Sequence, residues 1–159
     1  MQTLGNLQRI RSLVLSALFT VLIIMGTLLK IPFFFGIPLT FQVPVIQIAA
    51  LGLPKPYGIF AVANYLFLGA VGLPVFSFGG GIHLFFEKTG GYLVGFLIAT
   101  VVLQIFRDFF LSKPIITLIG LFLHTLVIFT LGILWHSYVD QLGVTKLIFA
   151  MQPFLLWLC

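Results

Sequence analysis

The chain has 159 residues, of which 61% are hydrophobic and 7% charged, with a formal net charge of +5 and a mean hydropathy of +1.25. A soluble domain has roughly 25% charged residues, and a chain this short keeps too much surface exposed to hide so much apolar side chain from water. The composition therefore excludes a water-soluble fold and implies one integral membrane domain over residues 1–159, an all-α membrane protein with the lipid bilayer as its solvent. A transmembrane helix takes about 20 residues, which leaves room for six spans and short connections. The basic residues are scattered among apolar runs and form no patch or tract of the kind a nucleic acid requires. Cys159 is the one cysteine, which excludes an internal disulfide and a cysteine metal cluster.

Arg9 and Arg11 ahead of an apolar run resemble a signal peptide. No small-x-small cleavage site follows, and apolar segments continue along the chain, so a retained first span is expected over about 13–29. Lys30 and Pro32 stop it, because a charge is costly in hydrocarbon and proline is poor inside a helix. A Pro/Phe/Gly stretch, 31–40, precedes a second span over about 41–53, too brief to cross without its flanks. Lys55 and Pro56 make a turn, and a third span runs over about 57–72. Residues 73–88, with Pro74, the run Gly79-Gly80-Gly81 and the pair Glu87-Lys88, predict a structured loop. A fourth span is expected over 90–106, a charged turn over 107–114, and a fifth, longest span over 115–135. Asp140 marks the next loop, and a short last apolar stretch, 144–158, is interrupted by Pro153.

Positive residues favour the cytoplasmic side. With the N-terminus inside, the inner segments hold Arg9, Arg11, Lys55, Arg107 and Lys113, and the outer ones Lys30, Lys88 and Lys146, five against three. The glycine loop then faces the outside, where a solute arrives. Small residues let helices approach in lipid; the fourth span offers Gly91, Gly95 and Ala99, and the first Ser12, Ser16 and Thr20 with Ala17 beside them. For the first-span stripe, packing inside the bundle and docking of a partner protein both fit.

His83, His124 and His136 lie too far apart for local metal-ligand spacing, and there is no HExxH pattern, so no metal and no catalytic residue are expected. His124 falls mid-span, where an ionisable group is a functional candidate by default, although a neutral imidazole bonded to a backbone carbonyl also fits. Gln42, Gln47 and Asn64 are polar in apolar surroundings, and each needs a partner, either a neighbouring helix or a transported solute. The glycine run followed by Thr89-Gly90-Gly91-Tyr92 lacks the lysine of a P-loop, so no nucleotide cofactor is implied. Glycines here allow an irregular backbone to fold over a site at membrane depth.

Residues 68–76 (LGAVGLPVF), the glycine run 79–81 and residues 89–96 (TGGYLVGF) together resemble the BioY family, the substrate-binding membrane subunits of energy-coupling-factor (ECF) biotin transporters. Weaker echoes are 37–42 (IPLTFQ) and 131–135 (LGILW). The resemblance implies a six-helix transmembrane bundle of the ECF S-component type in the bacterial cytoplasmic membrane, with biotin as transported substrate and no enzymatic activity of its own. Partners would be a membrane coupling protein and a pair of ATPases, with docking through small residues of the first helix. Expected ligand contacts are Gln42, Phe76, Gly79, Gly80, Gly81, Thr89, Gly90, Gly91, Tyr92 and Trp135. Two departures stand out. The family's glycine-proline before the threonine is Glu87-Lys88, and its proline-glycine-aspartate and later lysine, which help hold biotin, are missing after Pro153-Phe154-Leu155. A short or truncated sixth helix and weakened binding are therefore expected, since an unpartnered ureido ring and carboxylate resist leaving water. The alternatives are an S-component for another vitamin and a non-transporting remnant or scaffold; an intramembrane enzyme would need a constellation that the dispersed histidines do not offer.

Overall fold

The computed structural model describes residues 2–31 and 39–140. Among the described residues six helices succeed one another: α1 (Gln2–Leu28), α2 (Gln42–Gly52), α3 (Tyr57–Ala70), α4 (Gly90–Ile105), α5 (Arg107–Phe110) and α6 (Pro114–Asp140). Two two-residue strands, β1 (Lys30–Ile31) and β2 (Leu39–Thr40), pair antiparallel between α1 and α2, an extended element that the all-helical expectation did not contain. The loop between α3 and α4 holds one short 3-10 turn, Ile82–Phe85. The expected sixth span, 144–158, lies outside the described residues.

Among the described residues two helices are long and apolar enough to cross a bilayer, over Gly5–Leu28 and Pro114–Val139. The inner three are short. α2 has 11 residues, a rise of about 17 Å against roughly 30 Å of hydrocarbon. Both long helices outrun their expected ends. α1 continues N-terminally through Arg11 and Arg9, and α6 runs to Asp140 because no glycine or proline interrupts 133–140. The charged turn after α4 winds into the single turn α5, whose Phe110 fills the hollow at Gly120.

The first-span stripe settles inside the bundle. Ser16 Oγ donates to the Tyr57 carbonyl at 2.9 Å, Thr20 Oγ1 reaches the Ala61 carbonyl at 3.0 Å, and Thr27 Oγ1 lies 3.5 Å from the Tyr65 hydroxyl. These contacts advance together, so α1 and α3 run parallel. Ser12, Ser16 and Thr20 are buried, so packing against α3 is the reading the structure supports and partner docking through these hydroxyls is not; Ala17 faces outward. The most extensive pairing is α4 with α6, antiparallel, along the expected small-residue face. A Cβ on Gly95 would sit 3.2 Å from the backbone of Ile128, and one on Gly91 would be 2.6 Å from the Leu131 carbonyl and closer still to Trp135 Cβ.

At one end of the bundle the C-terminal carbonyls of the short helices are capped by side chains from their neighbours. Gln104 is buried; its Nε2 donates to the Ala50 and Leu53 carbonyls at 3.1 and 3.3 Å, and its Oε1 accepts from the Ile59 N–H at 3.3 Å. Arg107 Nε donates to the Leu51 carbonyl at 2.8 Å. Lys55 Nζ donates to the Ile105 carbonyl and to Asp108 Oδ2, both at 2.9 Å. The hydrogen bond and charge of Lys55, with Arg107 adding to them, hold the Asp108 carboxyl below the usual carboxylate range.

Gln104→Leu keeps the volume and removes three bonds to the α2–α3 turn; it should cost about 2 kcal/mol of stability, read as a lower Tm in detergent, and an unchanged Tm would contradict the capping role. For Asp108 a depressed folded pKa means that the stabilisation is present above the unfolded value and lost as pH falls through the lower folded one. Wild type should therefore lose its advantage over Asp108→Asn below about pH 4, by a small amount because the pair is exposed.

Candidate ligand-binding end

The opposite end gathers the start of α2, the end of α3, the 71–89 loop, the start of α4 and the end of α6. Gly81 N–H donates to the Gly69 carbonyl at 2.7 Å, pinning the loop onto the last turn of α3. Phe76 and Gly79 exchange backbone bonds at 2.9 and 3.1 Å, a tight reversal that places Gly79 at φ +115°, where a side chain would be strained. Phe76 is buried in the hollow left by Gly69, edge-on to Tyr65 with centroids 5.3 Å apart and to Phe85 at 5.9 Å. Gly80 packs against the Leu73 carbonyl and Gly90 against the Phe85 carbonyl, so both positions require the absence of a side chain. The Thr89 carbonyl accepts from the N–H groups of Tyr92 and Leu93 and starts α4.

Two polar groups here are buried without a hydrogen-bond partner among the described residues: Gln42 Nε2 and the Tyr92 hydroxyl. Gln42, the first residue of α2, is 4% exposed, and its side chain meets the Tyr65 hydroxyl, which also faces Thr27. The Tyr92 ring lies over Gly132 and edge-on to Phe129. Buried polar groups are almost always paired, so an orphan donor and an orphan hydroxyl at one end of a membrane bundle are what a polar ligand would satisfy. Trp135 is turned differently: its Nε1 donates to the Glu87 carbonyl at 2.9 Å, and its Cβ sits where a Gly91 side chain would be. Gly91 thus faces α6. The structure brings Gln42, Phe76 and the glycines 79–81 around α3, and Tyr92 and Trp135 around the α4–α6 seam.

Thr27 and Tyr65 are additions that the sequence reading passed over. Thr27 continues the Ser16–Thr20 stripe by two further turns, a signal that was available. Tyr65 is fully buried while its neighbour Asn64 is exposed, so the inward polar position on α3 is one residue later than expected. Gln47 is helix glue; its amide reaches the Leu121 carbonyl at 3.0 Å and Thr125 Oγ1 at 2.9 Å on α6. His124 is buried beside it, its Nδ1 3.5 Å from the same amide, in place of the backbone carbonyl expected. The exposed Glu87 and His83 approach at 4.0 Å, so the position that departs from the family pattern carries a solvated contact. Among the described residues no three His, Cys, Asp or Glu side chains come close enough to hold a metal ion. Hydrogen-bonding groups, aromatic rings and bare backbone of this kind can bind a solute.

The BioY family model matches residues 1–159. The chain belongs to the BioY family. Among its relatives, the "Biotin transporter BioY" of Thermotoga maritima is 41% identical over 99 residues, 62% of this chain and 58% of that protein. The Rhizobium etli protein of the same description is 33% identical over 147 residues, covering 86% of this chain and 79% of its own length. The first relatives are thus matched over about half to three fifths of their lengths. A crystal structure of the S-component for biotin from an ECF-type ABC transporter superposes with a TM-score of 0.82 at 29% identity, covering 92% of this chain and 82% of that one. BioY-family membership and that superposition establish a helical membrane protein of the S-component fold. The departure from the BioY pattern after Pro153-Phe154-Leu155 lies outside the described residues.

Gly91→Ala should lower Tm more than Gly95→Ala, because the first methyl group meets Trp135 Cβ and the Leu131 carbonyl while the second finds 3.2 Å. The difference expected is about 1–3 kcal/mol; equal losses would place Gly91 away from the seam.

Proposed function

We propose that this chain is a single-domain, biotin-binding membrane subunit of an ECF-type transporter, taking up biotin across the bacterial cytoplasmic membrane. The observation that carries the reading is the buried Gln42 Nε2, without a hydrogen-bond partner among the described residues at the glycine end of the bundle, in a chain of BioY-family sequence. A donor held out of water without a partner destabilises the empty protein by roughly 1–3 kcal/mol, and that cost is recovered when a ligand oxygen arrives. Biotin offers ureido and carboxylate oxygens as acceptors and an apolar sulfur-containing ring for Phe76 and its aromatic neighbours. Gly79, Gly80, Gly81, Thr89 and Gly90 shape the backbone that closes over it, Tyr92 completes the wall, and Gly91 seats α6 with Trp135 packed behind it.

The N-terminus lies in the cytoplasm in this proposal. Parallel α1 and α3 put Arg9 and Arg11 at the same end as Lys55, Arg107 and Lys113, and the positive-inside rule assigns that end to the cytoplasm. The glycine loop then opens outward. Coupling to ATP hydrolysis belongs to a membrane coupling protein and an ATPase pair.

Equilibrium binding of radiolabelled biotin to the purified chain tests the reading, with unlabelled vitamins as competitors. Biotin alone should compete. Gln42→Leu should weaken binding about tenfold or more, since the donor for a ligand oxygen is lost; unchanged binding would remove Gln42 from the site.

A further inference from the structure

Gln42 Nε2 and the Tyr92 hydroxyl are sealed from solvent as well as unpartnered, so a ligand reaches them only if some part of the closed end moves. The two halves of the 71–89 loop are tied to the bundle in different ways. Its first half is tied by backbone bonds, Gly81 to Gly69 and Phe76 to Gly79, and by the buried Phe76 ring. Its second half, Ile82 to Lys88, presents Leu84 and Phe85 inward and leaves Ile82 and Phe86 62% and 72% exposed. A side-chain bond ties this half to α6: Trp135 Nε1 to the Glu87 carbonyl, 2.9 Å. The acceptor is backbone, so the tie does not depend on the glutamate that departs from the family pattern.

We infer that Trp135 is a positioning residue that latches the 82–88 segment shut over the binding end, acting on ligand exchange through the Glu87 carbonyl and not through contact with the ligand. Both partners of the bond are protein atoms, Trp135 Nε1 and the Glu87 carbonyl, so the latch is available with the site empty or filled. It therefore sets how often the end opens, and it leaves the balance between empty and filled states nearly unchanged. A ligand contact would do the reverse, slowing departure without affecting arrival.

The inference rests on the biotin reading for one of its two tests and is independent of it for the other. Trp135→Phe keeps a ring against Gly91 and removes the N–H. Stopped-flow binding of biotin to this variant should show association and dissociation rate constants both raised about fivefold, the worth of one hydrogen bond of about 1 kcal/mol, with Kd changed less than twofold. Faster dissociation at an unchanged association rate would make Trp135 a ligand contact and overturn the latch, as would unchanged rates with a lower Tm. In the ligand-free protein, amide hydrogen exchange over 82–88 should rise about fivefold in Trp135→Phe while α3 and α4 keep wild-type rates; equal exchange in the two proteins overturns the inference whether or not wild type binds biotin. Absence of biotin binding by wild type would instead fail the functional reading, and the exchange result alone then decides the latch.

Discussion

Short helices inside a bilayer expose their last carbonyls at a depth where water is scarce, and the whole bundle depends on how those carbonyls are satisfied. Here the answer is reciprocal. Gln104 and Arg107, at and just beyond the end of α4, cap the Ala50, Leu51 and Leu53 carbonyls at the end of α2, while Lys55, just beyond α2, caps the Ile105 carbonyl at the end of α4. Two helices that cannot cross alone thereby finish at a common level. The same side chains place positive charge beside helix C-termini, where the helix dipole favours it, so capping and charge placement are served by one set of residues.

Among the described residues, the buried polar atoms left without a partner are His124 Nε2, midway along α6, and two groups at the other end. Gln42 opens α2 and Tyr92 lies in the first turn of α4, the opposite ends of the two helices just described. Between them the loop is built from backbone that tolerates no side chains at Gly80 and Gly90 and from a phenylalanine lodged in the hollow of Gly69. The basic end is thus closed by side-chain capping, while the glycine end keeps two buried polar groups without a partner among the described residues. A solute-binding membrane protein needs this asymmetry, because a site satisfied by its own side chains has nothing to offer a ligand.

Much of this was legible in the sequence, because the signals were physical ones of composition and spacing. Hydropathy gave the membrane class, and Gly91, Gly95 and Ala99 at steps of four gave the α4 face that meets α6. The glycine run gave a structured loop. What escaped were features decided by helical phase and by tertiary reach. Whether Asn64 or Tyr65 points inward turns on one residue of phase in α3, which an almost uniformly apolar helix does not reveal. Gln104 reads as an ordinary span residue until the turn it caps, 45 to 54 residues away, is folded beside it. Trp135 stood out as an aromatic group near a site, but its bond to a loop carbonyl 48 residues earlier has no sequence signature. The stripe on α1 was ambiguous for the same reason, since small hydroxyl residues suit an internal neighbour and an external one equally.

That stripe has a corollary for the outer side of α1. The hydroxyls of Ser16, Thr20 and Thr27 are turned toward α3 or back to α1's own carbonyls. The opposite face, Leu13, Val14, Leu18, Val21, Leu22 and Met25 with Ala17 among them, is exposed and has no side-chain polar group. A helix divided in this way can exchange lipid for protein along its outer side without breaking or remaking a hydrogen bond. Association there is governed by shape and by van der Waals contact alone, which makes it readily reversible and leaves the interior of the bundle undisturbed each time a neighbour arrives or leaves.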